Sequence, residues 1–177
     1  MATLTKLESK LAEVTGLAMA AQDAAREVRG MLGSEHAPLA TRLNQAIEEA
    51  RETQKRCTAL AGSFKGKKTA ILDKAREVKG EATEMREAYL GGEDDPLDGF
   101  EFLTMAEAGE VGLWSIVAKL NERAGIGELR KLTDWALPIQ QRHFQEVLDG
   151  SLKLAADEDP GEEESSRKSR DRTGRCR

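Results

Sequence analysis

Apolar residues recur along this chain at three- and four-residue intervals in five separate stretches, the spacing of one face of an α-helix. The first stretch, about Leu4 to Leu32, carries Leu7, Leu11, Val14, Ala18, Ala21, Ala25, Val28 and Leu32 on one stripe. Gly33 to Pro38 breaks it, and the second resumes with Leu39, Leu43, Ala46, Ala50, Thr53, Cys57, Leu60 and Phe64. Lys65-Gly66-Lys67-Lys68 turns into a third, whose face is Ile71, Ala75, Val78, Ala82, Met85 and Tyr89. Gly91 to Pro96 is the clearest breaker in the body. A fourth helix over about Asp98 to Arg123 follows, then Ala124 to Gly127, then a fifth with Leu129, Leu132, Ala136, Ile139, Val147 and Leu154 on one face. Pro138 lies inside the fifth and should kink it or split it in two, because proline lacks the helical donor. The connections are all short, which suits antiparallel neighbours in a bundle.

Composition sharpens this into an all-α fold. Aromatics make up 4% of the 177 residues and there are four prolines, while Ala, Leu, Glu, Lys and Arg dominate, the mixture that loses least freedom in helices. The pattern stops after Ala156: residues 157–164 are acidic and 167–177 basic, without a large apolar side chain. Such a segment cannot offset its ordering entropy, so the expected organisation is a helical bundle over 1–156 and a disordered charged tail over 157–177. A net charge of -5, mixed in sign along the helices, gives no reason to expect nucleic acid at the folded body. Two cysteines, Cys57 and Cys176, point to a reducing, cytoplasmic setting rather than a disulfide scaffold. No signal segment or membrane span is readable.

Chemistry concentrates on the last two helices. Counting 100° per residue puts Glu107 and Glu110 on the stripe of Leu103, Trp114 and Val117, facing the core. A buried carboxylate needs a proton, a cation or a metal. Arg or Lys partners could satisfy the pair, or a rotation onto the second apolar face, Phe102, Leu113, Ile116 and Leu120, could expose it. The same count centres His143 on the face of Leu132 and Val147, with Gln140 one turn earlier and Glu146 at the edge. Glu and His projecting inward from facing helices are how carboxylate bundles hold iron or manganese. Cys57 sits on an apolar stripe and reads as inert core, and His36 as a turn residue.

The order of several short motifs resembles the ferritin-like stress-response proteins of the YciE and YciF type. Glu52-Thr53 is similar to that family's second-helix E-T pair, and Lys65-Gly66-Lys67-Lys68 to its basic turn. Glu107-Ala108-Gly109-Glu110-Val111-Gly112-Leu113-Trp114 resembles its fourth-helix pattern, with both glutamates at the family spacing. Two family histidines are replaced, one by Glu49 and one by Ala108. The resemblance implies a ferritin-like four-helix core with one additional helix, and a site for iron or manganese. Glu107, Glu110 and His143 are its candidate ligands, Gln140 orients or replaces one, and Glu49 completes the shell from the second helix. The implied function is metal oxidation or storage, or oxidative-stress protection by ferroxidase- or peroxidase-like chemistry. The rival expectation is a non-catalytic helical protein with a degenerate site that works by association, as a homodimer.

Overall fold

A computed structural model describes residues 2–161. They form five long helices: α1 (Lys6–Met31), α2 (Ala37–Ala61), α3 (Lys68–Leu90), α4 (Pro96–Ala124) and α5 (Gly127–Ala156), with one 3-10 turn, Ser34–His36, before α2. No strand occurs among the described residues. The expected disordered tail lies outside the described residues from 162 onward, and α5 ends at Ala156, where the apolar pattern stops.

Local signals place the helix ends. Thr5 and Glu8 form a reciprocal capping box at the start of α1, which satisfies two backbone donors that the first turn leaves without partners. Asp95 caps α4 by accepting from the Leu97 amide at 2.8 Å, with Pro96 at the first helical position, where no donor is needed. Gly125, at φ +68°, takes the left-handed conformation that closes α4 and aims the chain into α5. α5 runs unbroken through Pro138, so the expected split does not occur. Pro138 and Asp134, whose carbonyl loses its i+4 donor, are both exposed, and water can satisfy that carbonyl.

Two apolar clusters at opposite ends tie α1, α2, α4 and α5 together. One gathers Leu11, Val14, Cys57, Trp114, Val117 and Leu129, and the other Val28, Leu43, Phe100, Leu103 and Val147. The sequence order within them makes α1 antiparallel to α2, and α4 antiparallel to α5. Cross-helix bonds agree: Gln22 Nε2 donates to Gln54 Oε1 at 2.7 Å, and Thr104 meets Ser151 at 3.0 Å.

The third helix departs from expectation. α3 does not lie along α2 or α4, its neighbours in sequence; it packs along α1 and runs parallel to it. The ion pairs Lys79–Asp23 at 3.0 Å and Arg86–Glu27 at 2.9 Å follow that parallel register. Gly16 permits the contact, because a Cβ there would collide with the Ala75 carbonyl and the Val78 side chain. Only Ile71, Ala75 and Leu90 of α3 are fully buried, and the predicted face fails at its far end, where Met85 and Tyr89 are 42% and 58% exposed. α3 thus bridges the two hairpins as an outer layer and contributes little to the central core.

Candidate metal centre

Midway between the apolar clusters the core turns polar. α4 buries Glu107 and Glu110, and α5 buries Gln140 and His143. The helical rotation left open by the sequence is resolved: Leu103, Trp114 and Val117 go inward with the two glutamates, while Ile116 of the alternative face is 44% exposed. α2 supplies Glu49, half-buried at the edge of its stripe.

His143 is the hub. Its Nε2 lies 2.6 Å from Glu49 Oε2, and its Nδ1 lies 3.8 Å from Glu107 Oε2. Glu49 also accepts from Arg142 and, at 3.2 Å, from Gln45 Nε2. Burial pushes the Glu49 carboxyl up, but the hydrogen bonds from His143, Arg142 and Gln45 outweigh it and hold Glu49 below the usual range. Burial also pushes the His143 imidazole down, against the pull of Glu49, so the ring favours its neutral form. An ionised Glu49 can only accept, which makes Nε2 the protonated nitrogen and leaves Nδ1 with its lone pair toward Glu107.

The α4 glutamates have the opposite character. Burial drives the Glu110 carboxyl up to about 8. Burial, with repulsion from Glu110 added, drives Glu107 well above its ordinary range. Neither shift is offset by a positive side chain among the described residues. Oε2 of Glu107, Oε2 of Glu110 and Oε1 of Gln140 are all buried without a hydrogen-bond partner. Each such group carries a desolvation cost of about 1–3 kcal/mol, so three of them on the buried turns of α4 and α5 make this a poorly satisfied part of the core.

The five expected site residues are therefore distributed unequally. Glu107, Gln140 and His143 line the contact between α4 and α5, with Glu110 one turn along α4, whereas Glu49 is already engaged by three partners behind His143. Among the described residues no three His, Cys, Asp or Glu side chains are gathered closely enough to hold a metal ion as they stand. Arg142 is the participant that periodicity did not single out. It anchors Glu49 from α5 while reaching Glu146 at 4.0 Å, and the only hint in the sequence is its place beside His143. Glu52 pairs with Arg56 on the outside, and Cys57 is an inert core thiol, pushed up to about 12 by burial.

Comparison with protein-family models, with curated proteins and with solved structures finds no match to this chain. Among the described residues no helix is long and apolar enough to cross a membrane.

Proposed function

We propose that this protein is a ferritin-like bundle that binds iron or manganese through Glu107, Glu110 and His143, in the service of metal oxidation, storage or peroxide handling. The connection plan supports the reading: two antiparallel hairpins, joined by one long crossing segment that α3 supplies, is how ferritin-like bundles are threaded. One observation carries the site: His143 Nδ1 lies 3.8 Å from Glu107 Oε2, while Glu107, Glu110 and Gln140 each bury an oxygen without a hydrogen-bond partner. That gap is too long for a hydrogen bond. It is compatible with a cation bonded to both atoms at the usual metal–ligand length of about 2 Å. Carboxylate oxygens with one imidazole suit iron or manganese.

Glu49 is then a positioning group. A metal-bound histidine commonly donates its second ring N–H to a carboxylate, which fixes the ring and raises its basicity. Glu110 and Gln140 each keep a buried oxygen without a partner, one turn from Glu107 and His143 respectively, and would complete the shell. A bound ion would supply Lewis acidity and one-electron chemistry; this chain's own residues hold it, neutralise it and keep water away.

The rival reading, a metal-free helical protein that works by association, is favoured by the absence of a closed three-residue cluster among the described residues. Elemental analysis of untagged protein from iron- and manganese-supplemented medium separates the two. The metal reading expects near-stoichiometric metal that Glu110→Ala removes and that replacement of the exposed Glu77 does not. Metal-free protein unchanged by added iron or manganese overturns it.

A further inference from the structure

A second feature reaches the same two glutamates from outside. Between α1, α3 and α4 lies a cavity of about 190 Å³, walled mainly by alanine, leucine, phenylalanine and methionine side chains and by Glu107 and Glu110. Met85 and Met105, both more than 40% exposed, stand at its rim. A cavity near 150 Å³ suffices for benzene, so this one admits a single ring with a short substituent. Methionines at a rim adapt their shape to whatever enters.

Charge narrows the choice of occupant. Arg86, the cation of the lining, is paired with Glu27 at 2.9 Å and turns no uncompensated charge on the cavity. Three buried polar atoms of the lining lack a hydrogen bond: Arg86 Nε, whose charge Glu27 already compensates, and the two acceptors that stay uncompensated, the Oε2 atoms of Glu107 and Glu110. A carboxyl oxygen accepts a hydrogen bond whether or not the group is ionised. The wall is also kept low at one point. Gly109 lies in mid-helix, where glycine costs about 1 kcal/mol relative to alanine, and a Cβ there would meet nothing within 4 Å. Packing does not require that glycine, and it belongs to the cavity lining beside Glu107 and Glu110, where a longer side chain has open space to enter.

We propose that this cavity binds a small neutral apolar molecule bearing one hydrogen-bond donor, its body against Leu17, Ala21, Leu103 and Met105 and its donor on Glu110 or Glu107. The site shares Glu107 and Glu110 with the metal reading, so donor recognition belongs to the metal-free core, while the apolar walls act in either state. The test uses chelator-treated full-length protein titrated with phenol and with toluene, which share a shape but differ in the donor, followed by NMR shifts of the α1 and α4 amides. Phenol is expected to saturate the shifts at least tenfold more tightly than toluene. Glu110→Leu should cut that preference severalfold. Gly109→Leu should abolish binding of both while leaving the protein folded and at least as heat-stable. Equal binding of phenol and toluene, no saturation by either, or phenol binding that survives Gly109→Leu overturns the proposal. The Gly109 variant keeps the test decisive should Glu110→Leu misfold. Metal content, read separately on untreated protein, distinguishes failure of this proposal from failure of the metal reading.

Discussion

Glu110 sets how the core responds to pH. Its carboxyl, near 4.5 when exposed, rises to about 8 on burial, so between those values the folded state holds a proton that the unfolded state has released. Stability then falls as pH rises, by up to about 1.4 kcal/mol per unit for one such group, and levels off above about 8. Glu107 shifts the same way and adds to the slope. His143, pushed down, has the opposite sign, but its contribution fades above about pH 6.5, where the unfolded imidazole is already half deprotonated. Above that pH the two glutamates dominate the slope, up to about 8 for Glu110. Chelator-treated protein should be measurably less stable to urea at pH 8 than at pH 6.5, and Glu110→Gln should shrink the difference. A flat profile in the unsubstituted protein would mean that the glutamates are not buried as described.

At the scale of elements, three small features adjust how helices form and meet. Gly16 lets α1 and α3 touch backbone to side chain, so Gly16→Ala should push α3 outward and destabilise by about 1–3 kcal/mol. Differential amide exchange should show the loss first along α3, which buries only three residues fully. Pro138 works in the other direction: it is exposed in mid-helix, and Pro138→Ala restores a backbone bond to Asp134. A gain of about 1–3 kcal/mol in urea denaturation is expected, provided that α5 stays continuous as seen. Loss of stability would show that the proline shapes a bend that the packing needs. Asp95→Ala removes the cap of α4 and should cost about 1 kcal/mol, checked by the same titration.

For the whole molecule, the sharpest expectation concerns the link between metal and melting. A ligand bound only by the native state stabilises it by mass action, about 2.7 kcal/mol at a hundredfold excess over its dissociation constant. If iron or manganese binds as proposed, its addition to chelator-treated protein should raise the melting temperature by several degrees, and Glu110→Ala should abolish the rise. Glu49→Gln should weaken the rise without abolishing it, because it loosens the His143 ring rather than removing a ligand. Calorimetry with and without chelator reads all three. A wild-type melting curve indifferent to both metals would leave the core as a hydrogen-bonded network.

Much of this architecture was legible in one dimension. Helix number, the breakers at Gly91–Pro96 and Gly125, and the inward face of α4 all follow from spacing and turn chemistry, which are local properties. The burial of Glu107, Glu110, Gln140 and His143 was legible for the same reason: periodicity ties each to apolar neighbours one turn away. Which helices meet was not. α3 carries a plausible stripe for packing in sequence order, yet the close approach at Gly16 seats it on α1, and the far end of its stripe turns to water. The role of Glu49 was likewise decided in three dimensions, since Arg142 and His143 reach it from more than ninety residues away. Local periodicity determines which way a side chain faces; only the assembled bundle determines what it faces, because contacts between helices depend on shape and distance that no spacing rule carries.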